Sequence, residues 1–191
     1  MSMVIPPEHR NGDLGVIAPF QLDVNQCKDI IALSEDSQNI HKTGRIQEET
    51  SNVVNIDTRQ TDVYVIHENN SWVDALICTV ALAANKTFEL NISGLLERPQ
   101  LLKYTAPSKG YDWHMDVGNG DASNRKISIS ILLNDNYEGG ELAFFMRGEQ
   151  VIKADAGSAI CFPSFLPHRV TPLTEGVRWS LVSWITGDPF R

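Results

Sequence analysis

Cysteine is sparse in this chain of 191 residues: Cys27, Cys78 and Cys161 stand far apart, with no CxxC pair among them. Their odd number and spacing suit neither a disulfide framework nor a cysteine-ligated zinc site, and predict buried free thiols. Basic residues are outnumbered, with 16 Lys plus Arg against 24 Asp plus Glu, a formal net charge of -8 and a pI near 5.0. Such a field repels phosphate backbones and anionic lipid, so a nucleic-acid partner is disfavoured. Long apolar runs are missing as well. The longest, LICTVALAA at 76–84, falls far short of the roughly 20 residues that cross a bilayer, and no membrane span is expected. The opening MSMVIPPEHR carries two prolines and early charge where a secretory signal needs a continuous apolar stretch, so the expected location is the cytoplasm. No GxSxG elbow, HExxH helix or phosphate-binding glycine loop occurs.

What is present is the composition of an ordinary globular protein, 42% hydrophobic and 21% charged, at a length that predicts one domain spanning 1–191. Asp23 can cap a short helix with Cys27, Ile30, Ile31 and Leu33 on its apolar face. Residues 35–62 are polar and read as loops, with one exposed strand at 53–56. Ser71 is a candidate cap for a longer helix, SWVDALICTVALAANKTF, apolar nearly all round and so expected to lie against a sheet. From about residue 88 the chain changes to short strands. In KISISILL, Ile127, Ile129 and Ile131 alternate with Ser128 and Ser130, the pattern of a strand with one buried face. Asn134-Asp135-Asn136 and Gly139-Gly140 supply turns, ELAFF reads as a strand, and further strands are expected at 150–153, 158–162, 168–171 and 177–185. Many short strands at regular spacing predict a mainly β jelly roll over about 88–187, supported by a helical and loop part over about 1–87.

The chemistry concentrates in YDWHMDVGNG, where His114 and Asp116 stand two residues apart and share a face if the segment is a strand. Alone the pair says little. His168, in FPSFLPHRVTPL, is far enough along for several strands to wrap round and return to the same barrel mouth. Two neutral imidazoles and one carboxylate form the facial triad of non-haem iron(II); in a closed shell they would suit structural zinc. Arg178, ten residues after His168, favours the open site. Its planar guanidinium can clasp a carboxylate through two bonds, and Ser180 can add a third from the same strand face, whereas an isolated arginine is more often a surface ion pair. Tyr104 by itself reads as a core residue with its hydroxyl satisfied by backbone. Trp113, Trp179 and Trp184 are expected in the core or at the barrel mouth, and His9, His41 and His67 are expected in solvent.

Taken in order, these pieces resemble the 2-oxoglutarate and iron(II)-dependent oxygenases, in particular the prolyl-4-hydroxylase-like and PKHD-type hydroxylases. The resemblance runs from about 85 to 185: ANKTFELNISGL, Gln100, Tyr104, Tyr111 with WHMD, RKISISILLN, YEGGEL, GSAICFPS and HRVTPLTEGVRWSLVSWI. It implies a double-stranded β-helix in which His114, Asp116 and His168 bind Fe(II) and Arg178 binds the distal carboxylate of 2-oxoglutarate. Tyr104 matches a tyrosine that often reaches the same carboxylate, and Ser180 matches the RxS form of the motif. The implied reaction consumes O2 and 2-oxoglutarate, releases succinate and CO2, and hydroxylates a C–H bond, with ascorbate a further candidate cofactor. The subgroup points to a prolyl residue of a peptide or protein, while the wider superfamily also takes small molecules. Two competing readings are a non-catalytic jelly-roll module that binds a carboxylate or sugar or serves an assembly, and a cupin-type metalloenzyme, which would have a more histidine-rich ligand set.

Overall fold

The computed structural model describes residues 15–42 and 61–188. A first strand, β1 (Ile17–Gln21), leads into α1 (Val24–Ala32). The Asp23 carboxylate accepts hydrogen bonds from the backbone N–H groups of Asn25 and Gln26, and the Gln26 side chain accepts one from the Asp23 N–H. This reciprocal cap satisfies donors that the first helical turn leaves open. Then come β2 (Ile40–Lys42), β3 (Asp62–Val65) and α2 (Ser71–Phe88), which spans the segment predicted from its apolar content. Its cap is Asn70, not Ser71, and only one stripe is covered: Val73, Ile77, Val80, Ala81 and Ala84 are buried while Leu82 and Trp72 remain exposed. Ile77 has no exposed surface, and its removal from water contributes roughly 1.5–3 kcal/mol.

Ten strands follow: β4 (Gly94–Leu95), β5 (Gln100–Thr105), β6 (Tyr111–His114), β7 (Arg125–Leu132) and β8 (Tyr137–Gly139), then β9 (Leu142–Phe145), β10 (Glu149–Ile152), β11 (Ser158–Pro163), β12 (His168–Val170) and β13 (Leu173–Thr186). They form two sheets. The larger runs β1-β11-β7-β13-β5-β3-β2, with β4 and β8 paired to β13, and the smaller runs β10-β9-β12-β6. All pairings are antiparallel. This is the mainly β jelly roll expected from the strand spacing, with α1 and α2 on the outer face of the larger sheet.

Two features depart from the sequence reading. The part before residue 88 is not only helix and loop: β1 joins one end of the larger sheet, and β2 and β3 extend the other beyond β5. These strands are short and lack a clean two-residue alternation, and their neighbours in the sheet supply the order. The strand expected at 53–56 lies outside the described residues. Second, β7 is buried on both faces. Its isoleucines pack with α2, and Ser128 and Ser130, 2% and 8% exposed, face the interior between the sheets. Small side chains suit that face because it lines the cavity between the sheets.

Cys27 and Cys161 are buried, and Cys78 is half-buried; all three are free thiols. Burial pushes the Cys161 thiol up to about 12, so it stays neutral and inert at neutral pH. Among the described residues no helix is long and apolar enough to cross a membrane.

Candidate metal and carboxylate site

The smaller sheet sets the three candidate ligands side by side. Antiparallel pairing of β12 with β6 places His168 directly opposite His114. Gly110, at φ +75°, lets the chain enter β6 against β12: a Cβ there would lie 2.2 Å from the Val170 carbonyl oxygen, which no other residue tolerates. Asp116 follows the end of β6, its N–H donating to the Ser164 carbonyl at 2.9 Å. One ligand atom each from His114, Asp116 and His168 lies within 4.8 Å of the others. The His114 Nε2 is 3.8 Å from Asp116 Oδ1, and the His168 Nε2 is 3.6 Å from Asp116 Oδ2. These separations are too long for direct hydrogen bonds and leave room for a cation between the groups.

The imidazoles are prepared for a metal by their backbone partners. His114 Nδ1 lies 2.7 Å from the Asp112 carbonyl oxygen, and His168 Nδ1 lies 3.0 Å from that of Leu166. A carbonyl only accepts, so both Nδ1 atoms carry the proton and both Nε2 lone pairs face the shared point. His114 also stacks on Tyr111 with ring centroids 3.7 Å apart, and Phe162 meets His168 edge-on at 4.6 Å. These contacts fix the ring planes.

At the other end of the same cavity lies Arg178 on β13, opposite Tyr104 on β5. Arg178, Ser180 and Tyr104 are 3%, 1% and 1% exposed. Arg178 Nη1 donates to Ser180 Oγ at 2.9 Å, while Arg178 Nε and the Tyr104 hydroxyl are buried with no partner among the described residues. Tyr137 on β8, a residue to which the sequence reading gave no role, lies close to the guanidinium; burial raises its phenol, and Arg178 partly offsets that. The Glu141 carboxyl is held below its usual range by the Thr171 hydroxyl, with a small contribution from Arg178. No carboxylate among the described residues forms an ion pair with Arg178. A buried guanidinium and a buried hydroxyl with unused donors strongly favour an anionic acceptor.

The structure therefore brings all six sequence-derived site residues to one cavity, between the sheets and lined also by Ser128, Phe162 and Trp184. The tryptophans divide. Trp184 lines this cavity with Arg125 stacked on it at 3.9 Å, Trp113 is exposed beside Phe145 and Arg169, and Trp179 lies against Tyr64 and Lys103 at the margin of the core. His41 is not simply solvated: it stacks on Tyr64 at 4.4 Å. His67 accepts a hydrogen bond from the Asn69 N–H, and His9 lies outside the described residues. Sequence reasoning missed Ser128, Ser164 and Arg125, which hold Asp116. The alternation of serine with isoleucine along β7 was the available signal.

Comparison with known proteins agrees with this geometry. Residues 99–186 match the model of the 2OG-Fe(II) oxygenase superfamily. A PKHD-type hydroxylase of Alteromonas mediterranea is 34% identical over 136 residues, covering 62% of this chain and 60% of the relative. Another from Thermosynechococcus vestitus is 37% identical over 112 residues, covering 55% and 50%. The chain thus spans about half to three-fifths of the length of these relatives. Among solved structures, a Pseudomonas putida prolyl-4-hydroxylase superposes with a TM-score of 0.67 at 22% identity, covering 91% of each chain. A prolyl hydroxylase of Trichoplax adhaerens, in complex with a hypoxia inducible factor oxygen degradation domain peptide fragment, gives 0.67 at 18% identity, covering 90% of this chain and 82% of that one. At these identities the structural likeness speaks for the fold. The stretch that carries His114, Asp116, His168 and Arg178 is thus similar to the 2OG-Fe(II) oxygenase superfamily and, among curated proteins, to PKHD-type hydroxylases.

Proposed function

We propose that this protein is an Fe(II)- and 2-oxoglutarate-dependent dioxygenase that hydroxylates a C–H bond, with a prolyl residue of a peptide or protein as the first substrate to test. The observation that carries the reading is the pairing, in one cavity, of a His-Asp-His cluster with a buried arginine and tyrosine that have donors to spare. In this reading His114 and His168 bind Fe(II) through Nε2 and Asp116 through its carboxylate. Arg178 receives the distal carboxylate of 2-oxoglutarate with a two-bond fork, Ser180 holds the guanidinium in plane, and Tyr104 donates its hydroxyl to the same carboxylate. The bound metal and co-substrate supply the oxidising chemistry with O2, yielding succinate and CO2. The chain's own residues orient them and exclude water, and no side chain has to act as a nucleophile. Ascorbate is a candidate reductant, to be added and withheld in assays.

A prolyl substrate is favoured because the Trichoplax adhaerens structure is a prolyl hydroxylase with a peptide, and the Pseudomonas putida structure is a prolyl-4-hydroxylase. A small-molecule substrate is the second choice. The net charge of -8 speaks against nucleic acid, and the free thiols accord with a reducing, cytoplasmic setting. The test is an anaerobic titration of the metal-free protein with Fe(II) and 2-oxoglutarate, following the visible charge-transfer band of the chelate. The band is expected in the wild type and absent in Asp116→Ala; a folded wild type without it would leave the non-catalytic jelly roll as the better reading. Proline-containing peptides are then screened by mass spectrometry for the gain of one oxygen atom.

A further inference from the structure

Asp116 is held from three directions, and the most telling contact is to its side chain. Ser128 Oγ lies 2.6 Å from Asp116 Oδ2 and 2.9 Å from Ser164 Oγ. Ser128 is 2% exposed and Ser164 is fully buried. A hydroxyl has one proton to give, and an ionised carboxylate can only accept, so the Ser128 proton points to Oδ2 and Ser164 donates in turn to Ser128. The result is a two-step hydroxyl relay ending on one oxygen of the carboxylate, with the short length of a charge-assisted bond. The backbone of Asp116 is fixed separately. Its N–H bonds the Ser164 carbonyl, and its own carbonyl accepts from Arg125 Nη1 at 3.0 Å. Arg125 is held in turn by Glu97 and by stacking on Trp184.

From this arrangement we infer that Ser128 is a positioning residue that keeps Asp116 a one-oxygen ligand. The hydroxyl takes one lone pair of Oδ2 and fixes the rotation of the carboxylate, so that Oδ1, 3.8 Å from His114 Nε2, is the oxygen with no hydrogen-bond donor among the described residues and the one offered to the cation. The consequence lies in the count of positions around the metal. A six-coordinate cation held by three protein ligands would keep three positions for co-substrate and O2. A carboxylate free to bind through both oxygens takes one of these and competes with the co-substrate. The serine hydroxyl prevents this without touching the metal, and because the backbone is anchored elsewhere, its loss frees Oδ2 while Asp116 stays in place.

This inference rests on the metal assignment proposed above, and the experiment separates the two. Wild type, Ser128→Ala and Ser164→Ala are loaded with Co(II) in place of Fe(II). The visible absorption of the Co(II) protein, which reports coordination number and geometry, is recorded along with the dissociation constants for Co(II) and for 2-oxoglutarate. In Ser128→Ala, Co(II) affinity is expected to stay within about threefold of wild type, while 2-oxoglutarate weakens by about tenfold or more and the absorption changes before co-substrate is added. Ser164→Ala, which keeps the Ser128 hydroxyl but strips its donor, is expected to show the same changes more weakly. Parallel loss of metal and co-substrate in Ser128→Ala would mean that the serine merely supports the ligand. Unchanged values throughout would mean that it does nothing for the site. Either result overturns the inference. A folded wild type that takes up no Co(II) overturns the metal assignment itself, together with the inference built on it.

Discussion

Replacing Arg178 by lysine would keep a positive charge on β13 and remove the planar fork that the carboxylate reading requires. Lysine offers a compact point charge with no fixed pair of donors, and it cannot keep both the Ser180 bond and a two-bond clasp. Arg178→Lys is therefore expected to weaken 2-oxoglutarate by about tenfold or more, which corresponds to about 1.4 kcal/mol. Arg178→Ala is expected to cost ~2–4 kcal/mol of co-substrate binding. Titration of the chelate band measures both, and a normal co-substrate affinity in the alanine variant would assign the work to another cation. At this scale the sequence was most informative. The HxD spacing, the returning histidine and the RxS pair say little singly, but together they require particular chemistry that is costly to bury without a purpose, so the ordered set carries the signal. Tyr137 and Ser128 were not legible in this way. A tyrosine beside a Gly-Gly turn and a serine in an isoleucine strand are unremarkable until the fold shows which atoms they approach.

The elements were legible where periodicity had one cause. The 18 residues of α2 and the isoleucines of β7 are set by burial against each other, and both elements were found at their observed places, whereas the serine face of β7, expected outside, lies between the sheets. β2 and β3 were harder to foresee because short strands at the end of a sheet draw their order from partners remote in sequence. The turn after β8 shows how an element end can govern the site. Gly140 adopts φ +69°, and a Cβ there would lie 2.9 Å from Arg178 Cδ and 3.0 Å from Leu173 Cδ1. Gly140→Ala combines an unfavourable backbone with pressure on the arginine stem. It is expected to lower stability by about 1 kcal/mol or more and to weaken 2-oxoglutarate as well. Urea unfolding gives the first quantity and the chelate titration the second; loss of stability with unaltered co-substrate binding would show that the arginine accommodates the added methyl.

For the whole molecule, the metal reading makes a thermodynamic demand. A cation that binds only the folded chain stabilises it by about 2.7 kcal/mol at a hundredfold excess over its dissociation constant. For a domain of this size that is a rise in Tm of about 5–10 °C. Mn(II), which does not react with O2 as Fe(II) does, is expected to give such a rise in the wild type and none in His168→Ala. The jelly-roll architecture was foreseeable because its cause is global: many short strands and one strongly apolar helix have few other ways to bury their surfaces.

The direct opposition of His168 and His114 carries one more consequence. β6 is an end strand of the smaller sheet, paired among the described residues with β12 alone, and the two histidines sit across that seam. An ion gripped by both would act as a clasp on the sheet's margin, tying a strand that hydrogen bonds alone leave free to fray. Amide exchange along β6 should then slow when Mn(II) is added, while the centre of the larger sheet, already closed on both sides, stays as it was.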